Sequence, residues 1–155
     1  MKKFLVKIKK TNPNFPLAES ISKLECCQFV DTVSGEIDGI AKISANEEEL
    51  KNLIERFDIK KRYIEQINLE YNFKNFKEKK NNFWINFKIK KRDILKLEDF
   101  MAKCKNLYEA YLTDKSIYIR GGANLIEDVD KIWTDLYNQL NSITNTKTYF
   151  VFKRF

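Results

Sequence analysis

The chain has 155 residues and a formal net charge of +7, with 29 Lys and Arg against 22 Asp and Glu. It contains no histidine, which excludes the Ser-His and Cys-His nucleophile pairs, the usual general base and every His-containing metal site. With 43% hydrophobic and 33% charged residues it is a foldable globular chain, and its 4 Gly and 2 Pro argue against Gly-rich phosphate loops and long flexible linkers.

The N-terminus, Met1-Lys2-Lys3-Phe4-Leu5-Val6-Lys7, interrupts its apolar run at Lys7, well short of the about 7–15 residues of a secretory signal. No run approaches the ~18 apolar residues of a membrane helix. The expectation is a soluble, cytoplasmic protein with no membrane partner. Cys26, Cys27 and Cys104 are odd in number and lack CxxC spacing, which reads as buried free thiols rather than a disulfide framework or zinc site.

In chain order, Phe4, Val6 and Ile8 alternate with Leu5, Lys7 and Lys9, a strand pattern. Pro16 opens a short helix with Leu17, Ile21 and Leu24 on one face. Residues 27–44 read as a hairpin turning at Ser34-Gly35. Asn46 is an N-cap followed by Glu47, Glu48 and Glu49, and Leu50, Leu53, Ile54 and Phe57 then recur at helical spacing. Strand 64–71 places Ile67, Leu69 and Tyr71 on one face and Gln66, Asn68 and Glu70 on the other.

The series then repeats. Strand 83–90 alternates Phe83, Ile85, Phe87 and Ile89 with Trp84, Asn86 and Lys88, and Asp93 caps a helix bearing Leu97, Phe100, Met101 and Cys104. Hairpin 107–120 turns near Asp114-Lys115. Beyond Arg120-Gly121-Gly122, Asn124 caps a helix bearing Ile126, Val129, Ile132, Trp133, Leu136 and Leu140, and Thr148–Arg154 closes as a strand. The expected class is therefore α+β: a tandem pseudo-repeat of two ferredoxin-like βαββαβ units with antiparallel sheets. Repeat 1 spans 1–73, a basic connector 74–82 and repeat 2 83–155.

Charge location is more informative than its total. Lys74, Lys77, Lys79, Lys80, Lys88, Lys90, Lys91 and Arg92 face only Glu78 within their segment, so that segment carries as much net charge as the whole chain. Such a stripe attracts polyanions by counterion release. On the helix-free face of the second sheet, alternation places Trp84, Asn86 and Lys88 beside Tyr118 and Arg120, with Tyr149, Val151 and Lys153 on the last strand. Aromatic faces amid cations suit single-stranded nucleic acid, similar in logic to an RNA-recognition motif but without its Gly-Phe-Gly-Phe consensus. The matching face of the first half, with Lys3, Leu5, Lys7, Gln66, Asn68 and Glu70, reads as solvated or partner-facing.

Candidates for catalysis are weak. Glu127, Asp128 and Asp130 sit where a helix dipole favours acids, and the Gly121-Gly122 pair serves a strand-to-helix turn more readily than an anion nest. No catalytic residue, metal or cofactor is expected. The expectation is a non-enzymatic, RNA- or single-stranded-DNA-binding protein, or one engaging a ribonucleoprotein groove. It would act through Lys74, Lys77, Lys79, Lys80, Trp84, Lys88, Lys90, Lys91, Arg92, Tyr118, Arg120, Tyr149 and Lys153. The alternative is a small inhibitor or immunity protein with an anti-CRISPR-like role, occluding a nucleic-acid-binding protein by protein–protein contact; a homodimer is compatible with either.

Overall fold

The computed structural model describes residues 1–73 and 78–155. It is a mixed α+β fold with antiparallel strand pairing, and the described residues form eight strands and four α-helices. The chain divides into two compact units, Met1–Asn68 with Val151–Phe155, and Leu69–Phe150. Among the described residues no helix is long and apolar enough to cross a membrane.

In the first unit the elements follow as β1 (Lys2–Ile8), α1 (Leu17–Ser22), β2 (Cys27–Val33), β3 (Gly39–Ala45), α2 (Glu47–Phe57) and β4 (Ile64–Asn72). Pairing sets the order β4–β1–β3–β2. The last residues of β8 (Thr144–Arg154) lie beside β2, with Asp31 opposite Arg154 and Thr32 opposite Lys153. The period-two residues Phe4, Val6 and Ile8 join Leu17, Ile21, Val30, Ala41, Ile43 and Leu53 in one core. Each such aliphatic or aromatic side chain removed from water contributes about 1.5–3 kcal/mol. The Asn46 cap is as expected: its side chain accepts from the Glu49 N–H at 2.8 Å while the Glu49 carboxylate accepts from the Asn46 N–H at 3.3 Å.

The second unit contains β5 (Asn81–Lys88), α3 (Ile94–Lys103), β6 (Leu107–Thr113), β7 (Ile117–Ala123), α4 (Glu127–Gln139) and the earlier residues of β8, in the strand order β8–β5–β7–β6. Phe83, Ile85 and Phe87 of β5 pack with Leu97, Phe100 and Met101 of α3 and Val129, Ile132 and Leu136 of α4.

Several local expectations change. Residues 121–122 are not a turn: β7 runs through both glycines. A Cβ on Gly121 would lie 2.6 Å from the Asn106 carbonyl oxygen, and one on Gly122 would fall on the Tyr108 hydroxyl. The glycines therefore serve close packing, and no anion nest forms there. α4 starts at Glu127 without a side-chain cap, and Asn124 instead accepts from Lys80 N–H at 3.4 Å. Asp93 likewise does not cap α3; its carboxylate accepts from the Ser142 N–H at 3.1 Å and from the Ser142 hydroxyl.

The largest correction concerns the helix-free faces. Leu5 lies opposite Glu65, so it shares its face with Glu65 and not, as expected, with Gln66, the one-residue difference that moves every side chain of a strand to the other face. Leu5, Lys42 and Glu65 are consequently in register on one face, and all three are buried. At those three positions the face is buried rather than solvated, while Lys3 at its end is exposed.

Candidate anion-binding site

The expected nucleic-acid face is brought together but not exposed. Trp84 sits opposite Arg120 on β7 and Tyr149 on β8. Its ring stacks on Tyr111 at 6.0 Å and meets Tyr118 edge-on at 6.3 Å. Trp84 and Tyr118 are 0% exposed and Tyr149 1%, so none can stack a base. Arg120 is buried as well, its guanidinium 5.4 Å from the Tyr108 ring centre. The alternation of β5 and β7 gave the sidedness correctly, but burial of an aromatic layer releases far more free energy than leaving it wet. Lys80, Lys88, Lys90, Lys91, Arg92 and Lys153 are exposed and Lys79 half-buried. Lys74 and Lys77 lie outside the described residues.

A different group of cations forms a concave site, within the first unit. A hollow of about 160 Å³ is lined by Lys7, Ile8, Lys9, Lys10, Thr11, Leu17, Phe57, Asp58, Ile59, Lys60, Arg62 and Tyr63. Beside it, a second of about 200 Å³ shares Lys10, Thr11, Leu17, Phe57 and Asp58 and adds Asn12, Phe15 and Arg56. Six cations thus surround an apolar floor of Ile8, Leu17, Phe57 and Ile59, against Asp58 as the acid in both linings.

Local folding explains the convergence. β1 ends at Ile8, whose carbonyl accepts from Asp38 N–H at 2.8 Å. The Asp38 carboxylate in turn accepts from Lys10 N–H at 2.6 Å, which fixes the exit of the chain carrying Lys9 and Lys10. On the other side, α2 stops because Asp58 turns left-handed (φ 52°), with its N–H and that of Ile59 both donating to the Ile54 carbonyl. Arg56 in the last turn offsets the negative end of the helix dipole, which would otherwise oppose an anion. A 3₁₀ turn at Lys61–Tyr63, closed by Tyr63 N–H on the Lys60 carbonyl at 2.9 Å, then presents Arg62 and Tyr63.

Arg62 and Tyr63 act as a pair. Arg62 Nη2 donates to Tyr63 Oη at 3.5 Å, and the guanidinium lies 5.0 Å from the ring centre. That hydrogen bond, reinforced by the charges of Arg62, Lys9 and Lys60 against a smaller opposing effect of burial, holds the phenol below its ordinary pKa. The thiols are the reverse. Burial raises Cys26 and Cys104, and pushes Cys27 up to about 11, so none is an activated nucleophile.

Chemically, the hollow offers charge-assisted hydrogen bonds to anionic groups beside an apolar wall. Its volumes fall below the ~300 Å³ of an enclosing small-molecule pocket, so it fits one charged edge of a larger ligand. Sequence reasoning passed over it because Lys7–Lys10 and Lys60–Arg62 are 50 residues apart and each looks like ordinary solvated charge. One signal was present: Lys7-Ile8-Lys9-Lys10, at the end of the first strand, recurs as Lys88-Ile89-Lys90-Lys91 at the end of the fifth.

No family model matches the chain, and no curated protein matches it. Among solved structures, the chain is similar to the siroheme decarboxylase NirDL, with a TM-score of 0.76 at 7% identity over 99% of this chain and 72% of that one. The same enzyme in co-complex with an iron-uroporphyrin III analogue gives a TM-score of 0.71 at 7% identity over the same shares. At that identity the likeness is one of fold. It still corrects two expectations. The chain shares its fold with an enzyme that binds an iron porphyrin, which conflicts with a non-enzymatic reading. The nucleic-acid reading falls with it, since the aromatic face it needed is buried, and the inhibitor alternative, likewise non-enzymatic, meets the same conflict with the likeness to an enzyme.

Proposed function

We propose that the chain is a tetrapyrrole-binding enzyme of the decarboxylase type, holding a polycarboxylated macrocycle by one edge in the basic hollow of the first unit. The observation that carries this reading is the ring of Lys7, Lys9, Lys10, Arg56, Lys60 and Arg62 around an apolar floor. A uroporphyrin-type macrocycle has the matching chemistry, an apolar plane bordered by carboxylates. The likeness to a decarboxylase bound to such a molecule supports the choice among anions. The tandem ferredoxin-like architecture belongs to the same proposal, supported by the repeated βαββαβ order and by the strand orders β4–β1–β3–β2 and β8–β5–β7–β6.

The residues divide the work by polarity. A carboxylate paired with an ammonium is stabilised in its ground state, and loss of CO2 from it is slowed. The cations therefore bind and orient the carboxylates that do not react. The reacting carboxylate belongs against Ile8, Leu17, Phe57 and Ile59, where removal from water favours the less polar transition state. Arg62 and Arg56 offer forked donors suited to a carboxylate, whereas the lysines act as point charges.

Titration of the protein with metal-free uroporphyrin III, followed by absorbance, tests the binding. Saturable binding near a micromolar Kd (about −8 kcal/mol) that weakens with added salt is expected. Mass spectrometry of siroheme incubated with the protein tests the reaction by loss of CO2. Absence of saturable binding overturns the proposal.

A further inference from the structure

The cations of the two hollows account for the carboxylates at one edge of such a ligand, but any polyanion would satisfy them. Three aromatic rings line the same hollows, Phe15, Phe57 and Tyr63. Two of them are occupied by the protein itself. Phe57 packs against the core of the first unit with the Arg56 guanidinium 5.0 Å from its ring centre, and the Arg62 guanidinium lies at the same distance from Tyr63. Phe15 differs: among the described residues no cation or second ring lies over it, and it is 45% exposed.

The backbone holds that ring at the rim. The Asn12 side chain accepts from Asn14 N–H at 3.0 Å, and the Asn12 carbonyl accepts from Phe15 N–H at 3.1 Å. The Phe15 carbonyl accepts in turn from Leu17 N–H at 2.9 Å across Pro16, whose ring restricts the chain further. Phe15 is thereby tied on both sides while it lines the second hollow beside Lys10 and Arg56. In an acetate or propionate arm, two or three carbon–carbon bonds of about 1.5 Å each join the carboxylate to its pyrrole. An arm that reaches Lys10 or Arg56 therefore brings its own pyrrole to the rim where Phe15 stands. A phenyl ring packs its face best on a flat π-system.

Resting on the tetrapyrrole reading above, we propose that Phe15 is a specificity-determining residue of the basic hollow. Its ring stacks on the pyrrole whose arm enters the hollow, so the site takes flat, conjugated macrocyclic polycarboxylates and discriminates against reduced, puckered ones that bear the same acids. The cations supply the attraction common to both forms, and Phe15 reads the flatness.

The test compares wild type, Phe15→Ala and Phe15→Trp with two probes, metal-free uroporphyrin III and uroporphyrinogen III, which carries the same carboxylates on a non-planar skeleton. Calorimetry under anaerobic conditions gives both affinities, the position of the porphyrin Soret band reads the stacking, and thermal melts check folding. The wild type is expected to bind uroporphyrin III at least about tenfold more tightly than uroporphyrinogen III, with a displaced Soret band. Phe15→Ala should lose about tenfold in affinity for uroporphyrin III together with the band displacement, while its affinity for uroporphyrinogen III changes by less than about twofold. Phe15→Trp should keep both the preference and the displacement.

Wild type that binds both probes without preferring the flat one overturns the selection and leaves the binding reading standing. A preference kept by Phe15→Ala, lost in Phe15→Trp, or lost through equal weakening toward both probes in a folded Phe15→Ala also overturns the assignment. Failure of wild type to bind either probe overturns the binding reading and the selection together.

Discussion

The tetrapeptide Lys-Ile-Lys-Lys ends the first strand of each half, yet the two copies lead to different surroundings. In the first unit the chain from residue 9 to 16 loops out before α1, and Lys9 and Lys10 line a hollow together with Lys60 and Arg62. In the second unit residues 89–93 pass straight into α3. There Ser142 closes the connection, its hydroxyl accepting from Lys90 N–H at 2.9 Å while its own N–H donates to Asp93. The same cationic word gives a concave site where the connection is long and a pinned turn where it is short. Charge supplies the attraction in both places; the space behind it decides whether a ligand edge can enter.

Five variants sharpen that contrast. The largest effect belongs to the packed half: Trp84→Ala removes a fully buried ring stacked on Tyr111 and should cost about 3–5 kcal/mol of stability by urea unfolding. A cost under about 1 kcal/mol would place the ring at the surface. Gly122→Ala should cost about 1–3 kcal/mol. The added methyl displaces the Tyr108 hydroxyl, which accepts from Lys79 N–H at 2.6 Å and donates to Asn82 at 3.0 Å.

The next effect belongs to the open half. Lys9→Glu with Lys60→Glu should weaken binding of uroporphyrin III by more than about tenfold, or ~1.4 kcal/mol. Lys90→Glu with Lys91→Glu should change it by less than about twofold. Equal losses would show that overall charge, and not the hollow, governs binding.

The smallest effect is the pH response of the pin. Hydrogen bonding from Ser142, opposed by burial and aided by Lys96 and Arg92, holds the Asp93 carboxyl below its ordinary value. A depressed folded pKa stabilises the protein above the unfolded value, about 3.9, and that contribution is lost as pH falls through the folded value. Asp93→Asn should therefore lower the urea midpoint at pH 7 and flatten its decline in acid. An unchanged acid profile would remove Asp93 from the account.

Much of the element order was legible in the sequence because it rests on local rules. The alternation of Phe4, Val6 and Ile8, the Asn46 N-cap and the hairpin at Gly35, which has φ 110°, each depend on a few neighbouring residues. Readings that required tertiary knowledge did not survive. The β4 offset that buries Glu65 follows from pairing with β1, and the role of Gly122 follows from Tyr108, which lies on another strand. Trp84 and Tyr118 lie together as alternation implied, but alternation cannot distinguish a wet face from a dry one. The hollow escaped notice for a related reason: its two basic segments are brought together by the left-handed end of α2 at Asp58, which helix periodicity does not encode.

The most direct test is a ¹H–¹⁵N NMR titration of the intact chain with metal-free uroporphyrin III. The account requires shifts concentrated at residues 7–11 and 56–63, with residues 88–93 little changed. Shifts centred on residues 88–93, or scattered evenly over all exposed lysines, would contradict it.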